Sequence, residues 1–243
     1  MIPPGHPRYR SLVTREMLAG CAKSGVVSWE GLTAHGRGEA FDYLLGEKTS
    51  ESARLAEKIA AAMLLSARHP VISVNGNTAA LAAPEIAALQ KASGALVEVN
   101  LFHRTEARVQ QIEDLLRSAG AEVFSGEAER LLPLDHDRAW CRREGMYSAD
   151  VILVPLEDGD RCEALVGMGK TVIAIDLNPL SRTARKATLT IVDELTRALP
   201  EISRACRDMD PEEGARLIAS LNNHYLLTEA IREITGRLNH ALD

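Results

Sequence analysis

The sequence predicts an α/β fold: a Rossmann-like, doubly wound, mainly parallel sheet of about six strands with helical N- and C-terminal extensions. Two observations predict it. Short apolar runs rich in β-branched residues recur at 71–74, 96–99, 121–124, 151–154, 171–175 and 189–192. Several are apolar on both faces, as strands covered by helices on both sides must be. Helical stretches lie between them, and strand alternating with helix builds a doubly wound sheet.

In chain order, residues 1–68 read as helical. Ser50 stands as the N-cap of an amphipathic helix over 50–67. After the first strand, a helix over 84–92 starts with Pro84 at the first helical position. Residues 105–119 carry Val109, Ile112, Leu115 and Leu116 on one stripe, with Gly120 as the stop. Shorter helices are read at 160–168 and 194–207. Residues 211–243 are helical again, opened by Pro211-Glu212-Glu213 and striped by Leu217, Leu221, Ile231, Ile234 and Leu238. That stripe is either intramolecular core or a dimer seam. No repeat, low-complexity tract or long linker divides the chain. The 243 residues therefore read as one domain: 1–68 a helical part, 69–195 the Rossmann-like core, 196–243 a second helical part.

The apolar fraction of 46% and charged fraction of 26% exclude wholesale disorder. A net charge of −6 disfavours a broad nucleic-acid surface. No apolar run reaches the ~18–20 residues of a membrane span, and the start, Met1-Ile2-Pro3-Pro4-Gly5-His6, lacks the basic and apolar regions of a signal peptide. The expectation is a cytoplasmic protein without membrane or nucleic-acid partners. Cys21, Cys141, Cys162 and Cys206 form no C-x-x-C pair and read as reduced thiols. The seven histidines show no metal spacing, so no structural metal is expected. Of the 28 basic residues 22 are Arg, whose planar fork grips carboxylate and phosphate by two hydrogen bonds.

In an open α/β sheet, ligands sit beyond the carboxyl ends of the strands. Here those ends are polar. The first runs into Asn75-Gly76-Asn77-Thr78 and the second into Asn100-Leu101-Phe102-His103-Arg104-Thr105. The fourth runs into Pro155-Leu156-Glu157-Asp158-Gly159-Asp160-Arg161, the fifth into a segment from Asp176 to Arg185, and the sixth into Asp193-Glu194. One polar loop is turn chemistry; five on one edge make a cleft. Neither phosphate fingerprint is met. One glycine stands where G-x-G-x-x-G needs three, although Asn77 and Thr78 can still offer donors to an anion. Gly167-Met168-Gly169-Lys170-Thr171 precedes a strand and has Ala164 where a P-loop needs glycine, so it reads as a helix stop.

The densest segment is 33–47. Gly36 and Gly38 admit close backbone approach. Arg37 between them is a fork for phosphate, and His35 suits oxyanion donation or proton transfer. The plain alternative is a glycine-kinked turn with a surface Arg and a core His. Helical spacing puts Arg8 and Arg15 on one face, near a ligand or merely in solvent. Glu157, Asp158, Asp160 and Arg161 suit a substrate ammonium or a magnesium ion, or simply cap a helix. Asp176-Leu177-Asn178 offers groups for ribose hydroxyls or an adenine edge, and Arg182 and Arg185 follow with charge for phosphates.

Together these segments resemble the archaeal phosphopantothenate synthetase family, the 4-phosphopantoate–β-alanine ligases of coenzyme A synthesis. The likeness is carried by His6-Pro7-Arg8-Tyr9, Ala34-His35-Gly36-Arg37-Gly38-Glu39-Ala40-Phe41-Asp42-Tyr43-Leu44, Val71-Ile72-Ser73-Val74-Asn75-Gly76-Asn77, Val99-Asn100-Leu101-Phe102, Val154-Pro155-Leu156-Glu157-Asp158-Gly159-Asp160-Arg161 and Asp176-Leu177-Asn178-Pro179-Leu180-Ser181-Arg182. It runs to about Glu194; residues 120–148 and the last thirty or so match no motif. The resemblance implies a Rossmann-like homodimer using ATP and magnesium. It places nucleotide contacts on Arg15, Arg37, Asp176, Leu177, Asn178, Arg182, Thr183, Glu194 and Leu195. It also implies amide formation through an acyl-adenylate, with AMP and pyrophosphate released. In that chemistry Arg37, Arg182 and Arg15 offset crowded negative charge, and His35 or Asn75 holds the acyl oxygen. Arg104 or Arg161 takes the pantoate phosphate, Glu157 or Asp158 takes the ammonium and its proton, and Asn77, Asn100 and Asp160 complete the substrate side. The rival readings are a small-molecule kinase, which would release ADP, and a non-catalytic nucleotide-binding regulator.

Overall fold

The computed structural model describes residues 2–156 and 159–241. Helices α1 (Tyr9–Lys23), α2 (Trp29–Leu45) and α3 (Glu51–Ser66) precede the sheet. Then come β1 (Pro70–Val74), α4 (Gly76–Ser93), β2 (Leu96–Val99) and α5 (Glu106–Ser118). A short antiparallel excursion, β3 (Glu129–Arg130) and β4 (Trp140–Cys141), leads to β5 (Val151–Pro155) and α6 (Gly159–Gly167). The chain continues through β6 (Thr171–Ile175), α7 (Arg182–Lys186), β7 (Leu189–Ile191), α8 (Leu195–Asp208), α9 (Pro211–Ala219) and α10 (Asn223–Asn239).

The main sheet is α/β and wholly parallel, in the order β2-β1-β5-β6-β7. Counting its strands alone, that is 2-1-3-4-5, a doubly wound order. Five of the six expected strands join it. The sixth, at 121–124, is reduced to a single parallel bridge between Val123 and Val97. Phe124 N still donates to Val97 O (2.8 Å), but Glu122 N donates to Gln90 Oε1 (2.8 Å) and Gln90 Nε2 donates to Glu122 O (2.7 Å), which ties the start of the segment to α4.

Strand alternation sorts the core into two layers. Ile72, Val74, Val97, Val99, Leu153, Ile173 and Ile175 pack with Ile59, Ile86, Leu89, Ile112 and Ile202 of α3, α4, α5 and α8. Val71, Ile152, Val154, Val172 and Ala174 face the other way, onto Cys162 and Leu165 of α6 and onto Leu132 and Met146. Each such side chain, fully buried, contributes about 1.5–3 kcal/mol. A third cluster of Leu45, Leu177, Ala184, Val192, Leu227, Ala230 and Ile234 fastens α10 to the end of α2.

Local chemistry fixes the helix ends. Ser50 Oγ accepts from Ala53 N (3.1 Å), the expected cap of α3. Helix α4 starts earlier than Pro84: it begins after Asn75, breaks at Ala82 (φ −148°), and Pro84 opens its second half. Proline has no N–H for the preceding turn and its ring crowds it, which accounts for the break. Residues 33–45 form no glycine-kinked turn. Gly36 and Gly38 sit inside the continuous helix α2, and a Cβ at Gly36 would meet nothing within 4 Å. Among the described residues no helix is long and apolar enough to cross a membrane. The four cysteines are free thiols, and burial pushes Cys141 up to about 12 and Cys206 up to about 11.

One carboxyl lies inside the α3–α8 interface. Glu57 is 2% exposed and its Oε1 has no hydrogen-bond partner. Burial, then the negative charges of Asp193 and Glu201, push it up to about 9, against a weaker opposing pull from Arg54. In its protonated form it is hydrogen-bonded to Asp193, which in turn accepts from Thr49 Oγ1 (2.6 Å) and Arg197 Nη2 (2.6 Å).

Candidate active site

A cleft of about 410 Å³ opens across the carboxyl ends of the strands, with α1 and α2 as its outer wall. Its centre is the point between β1 and β5 where the winding of the sheet reverses, the expected ligand crevice of such folds. Asn75 braces that point. Its Oδ1 caps α4 by accepting from Thr78 N (3.0 Å), while its Nδ2 donates to the carbonyls of Pro155 (3.2 Å) and Leu156 (3.0 Å). Leu156 sits in the left-handed region (φ +54°), a strained conformation for a branched residue that tends to occur at functional sites.

Helix α2 closes on α4 at two glycines. Asn77 Nδ2 donates to Gly31 O (2.8 Å), and a Cβ on Gly31 would lie 2.3 Å from Asn77 Oδ1. A Cβ on Gly76 would lie 2.1 Å from the Val26 carbonyl oxygen. His35, Arg37, Glu39 and Asp42 of α2 line the cleft. Burial holds the His35 imidazole below its ordinary value, with Glu39 pulling up and Arg15 pushing down, so it is neutral near pH 7. Arg37 is exposed and, like Arg10 of α1, has no ion-pair partner among the described residues. Arg8 and Arg15 share one face as their spacing requires. Both turn to Glu39, with Arg15 Nη2 at 2.7 Å and Arg8 Nη2 at 3.8 Å, and neither lines the cleft.

The far end of the cleft is built from Leu177, Glu194, Leu195 and Arg197. Glu194 caps α8 by accepting from Thr196 N (2.7 Å), and burial raises its carboxyl. Arg197 joins Asp42 of α2 to Asp193 at the foot of α8; these ion pairs raise it against the pull of burial. Asp176 accepts from Asn178 N (2.9 Å) and Ser181 Oγ, and burial raises it despite them. Asn178 Oδ1 accepts from Leu180 N (2.9 Å).

The structure thus brings His35, Arg37, Asn75, Asn77, Leu177, Glu194 and Leu195 to one cleft, with Asp176 and Asn178 flanking Leu177. Other expected residues lie elsewhere. Arg182 is exposed and bonded to Glu163 (2.6 Å), and Thr183 is buried on α7. Asn100 is 1% exposed and bonded to Ser73 and Glu98. Arg161 is not a cleft residue: the first turn of α6 aims it inward with Cys162, wholly buried, against Met146 and Ser73. Arg104 is also off the cleft; its guanidinium lies beside Glu106 (3.6 Å) and its backbone N–H donates to Asp137 Oδ2 (2.9 Å). Asp160 pairs with His136 Nε2 (2.7 Å). Glu157 and Asp158 fall outside the described residues.

Sequence reasoning missed Arg108, Arg138 and Glu30, which also line the cleft together with Phe102 of the second strand end. Arg138 lies in a stretch without a motif, yet Phe102 stacks on His136 (4.9 Å between centroids) and Asp137 holds Arg104 N, which docks that stretch on the loop after β2. The signal for Arg108 was its place in the first turn of α5, directly after a polar strand end. No group of three or more His, Cys, Asp or Glu side chains among the described residues is arranged to hold a metal ion. Arginines facing a concave site next to a helix N-terminus suit a polyanion.

A family model described as phosphopantothenate/pantothenate synthetase matches residues 52–237. A protein of Methanospirillum hungatei JF-1 named 4-phosphopantoate--beta-alanine ligase is 62% identical over 243 residues, covering all of both chains. A protein of the same name from Methanosarcina mazei is 54% identical over 241 residues, 98% of this chain and 95% of its own. One from Thermococcus kodakarensis, again of that name, is 48% identical over 243 residues, 98% of this chain and 93% of its own.

Proposed function

Because this chain belongs to the phosphopantothenate/pantothenate synthetase family, we propose that it joins 4-phosphopantoate to β-alanine, using ATP, to give 4'-phosphopantothenate, AMP and pyrophosphate. The observation that carries the reading is Arg37. It is an exposed guanidinium on the cleft wall, with no ion-pair partner among the described residues. Such a group in a site for two phosphorylated substrates offsets charge that would otherwise keep them apart. The nucleotide lies at the end lined by Leu177, Glu194 and Leu195, with the carboxylate of Asp176 and the amide of Asn178 beside it for ribose or base.

The reaction proceeds in two steps. A carboxylate oxygen of 4-phosphopantoate attacks the α-phosphorus of ATP; a P–O bond forms and pyrophosphate leaves. The neutral amine of β-alanine then attacks the acyl carbon. The C–N bond forms, AMP leaves with the C–O bond pair, and the amine loses one proton. His35, neutral near pH 7, donates its ring N–H to the acyl oxygen as negative charge develops there. Asn75 spends both its donor and acceptor on the cleft floor and holds the geometry rather than the oxygen. Arg15 reaches a phosphate by leaving Glu39, and Arg182 by leaving Glu163. Holding three reactants in one cleft adds rate by itself.

Magnesium belongs to the reading as the companion of the nucleotide, held mainly by phosphates with one or two carboxylates; among the described residues no group of three or more His, Cys, Asp or Glu side chains offers it a protein cage. A homodimer is part of the same reading. The test is to incubate the protein with ATP, 4-phosphopantoate and β-alanine and identify the nucleotide product. AMP that requires both acids supports the ligase. ADP would mean a kinase, and bound but unconsumed ATP would mean a regulator.

A further inference from the structure

Helix α2 is pinned on both sides of His35 and Arg37. Near its start, Asn77 Nδ2 donates to Gly31 O (2.8 Å). Near its end, Arg197 of α8 grips Asp42, with Nη1 on Oδ2 (3.1 Å) and Nη2 on Oδ1 (2.5 Å). Residues 35, 39 and 42 share one face of a helix, and all three line the cleft. The second pin therefore acts on the cleft face itself, about 10 Å along the axis from His35.

Arg197 is itself held from behind. Its Nε (2.9 Å) and Nη2 (2.6 Å) donate to Asp193 Oδ1, which also accepts from Glu194 N (2.8 Å), while Thr49 Oγ1 donates to Asp193 Oδ2 (2.6 Å). Asp193 is 1% exposed. Beyond it, inside the α3–α8 interface, Glu57 is hydrogen-bonded to Asp193 while its own Oε1 has no partner. Two carboxyl groups in contact and out of water share one proton, because two buried anions side by side are costly. The proton belongs on Glu57, since four donors already point at Asp193. A chain of contacts then runs from the interior to the cleft wall: Glu57 to Asp193 to Arg197 to Asp42.

The charges bearing on Glu57 are Asp193 ahead of α8, Glu201 and the exposed Arg204 of α8, and Arg54 of its own helix. Of the other elements packed on α3, β7 has no charged residue and α9 meets Ala62 through Gly214. On α10, Glu233 pairs with Lys48, Arg232 with Glu229, and Arg237 lies against Gly46.

We propose that Glu57 is a positioning residue of the ligase site: its carboxylic acid, donating to Asp193, keeps Arg197 on Asp42 and so sets the α2 wall that presents His35 and Arg37 to the reactants. What that wall grips rests on the ligase reading. An ionised Glu57 competes with Asp42 for Arg197, and the wall loses its second pin.

The test is calorimetric affinity for an ATP analogue with a methylene between the α- and β-phosphorus, measured from pH 7 to pH 9.5. The native protein is expected to lose about fourfold between pH 8 and pH 9.5, because only about a quarter of a group titrating at about 9 keeps its proton at the upper limit. Glu57→Gln keeps a donor for Asp193 and does not titrate, so its affinity is expected to change less than twofold over the range. Glu57→Leu keeps the bulk without the donor and is expected to bind about fourfold more weakly already at pH 7. Matching pH profiles for the native protein and Glu57→Gln overturn the assignment. A second measurement needs no ligand. In urea unfolding at pH 7, Glu57→Leu combined with Asp42→Asn is expected to shift the unfolding constant at least about threefold less than the product of the single shifts, because both act through Arg197. Strictly multiplicative shifts overturn the role as well. A native protein that binds no nucleotide would sink the ligase reading alone, and the combined variant then decides the role of Glu57.

Discussion

Replacing Glu57 with Gln tests the buried carboxyl between α3 and α8. In the folded protein its proton is retained up to about 9, because burial and the charges of Asp193 and Glu201 disfavour the anion; unfolded, it ionises in the ordinary carboxylate range. Between those values the folded chain carries one more proton than the unfolded chain, so stability falls as pH rises. Its contribution is complete below the unfolded value and gone once pH passes about 9. The slope is about 1.4 kcal/mol per pH unit, which is about 3 kcal/mol between pH 6 and pH 8. Glutamine has the shape of the protonated acid and an N–H for Asp193, but it does not titrate. Glu57→Gln is therefore expected to gain on the native protein by about that amount over the interval. The assay is urea unfolding followed by circular dichroism at pH 6, 7 and 8. Parallel stability curves for the two proteins would refute the reasoning, because they would mean that Glu57 is already ionised at pH 6 when folded.

Three further outcomes follow from the site. Arg37→Ala is expected to lower kcat/KM for AMP formation by about 10²–10³, the scale of one lost transition-state donor; unchanged steady-state kinetics would remove Arg37 from the chemistry. Gly76→Ala drives a Cβ to 2.1 Å from a backbone oxygen and is expected to cost at least about 1–3 kcal/mol in urea unfolding, whereas Gly36→Ala, in open space inside α2, is expected to stabilise by about 0.5–1 kcal/mol. Asp42→Ala strips the partially buried Arg197 of one of its two carboxylates; the expected loss is about 1.5–3 kcal/mol by the same measurement, and a value near zero would show that solvent already screens the pair.

The strands were legible because each carries its own signal: β1, β5 and β6 are apolar on both faces, and only a sheet covered on both sides can use them. Residues 121–124 carry the same signal but lose the ladder to Gln90, a contact from another element that periodicity cannot register. Likewise Gly36 and Gly38 suggested a break, yet the packing of α2 on α4 and α10 outweighs their weak helix preference. The cleft itself was readable from the row of polar strand ends. Which arginines enter it was not. Arg161 is one residue from Asp160, and one step along a helix turns a side chain by about 100°, from the rim into the core. Arg138 enters from a stretch without periodicity, through Phe102 stacking on His136.

The wall bearing Arg37 is thinly rooted. Each of α1 and α2 sinks one residue fully, Leu18 and Leu45, whereas α3 and α4 sink many. Beyond its apolar C-terminal end, where Leu45 joins the cluster with α10, α2 is also held by polar contacts: Asn77 on Gly31 and Arg197 on Asp42. Apolar burial sets how often a segment detaches, so this layer is the part of the molecule whose amides trade hydrogen with solvent first, while the sheet beneath stays protected. Reactants spanning both surfaces would slow that exchange most in the first two helices, making the N-terminal layer a door that its own cargo latches.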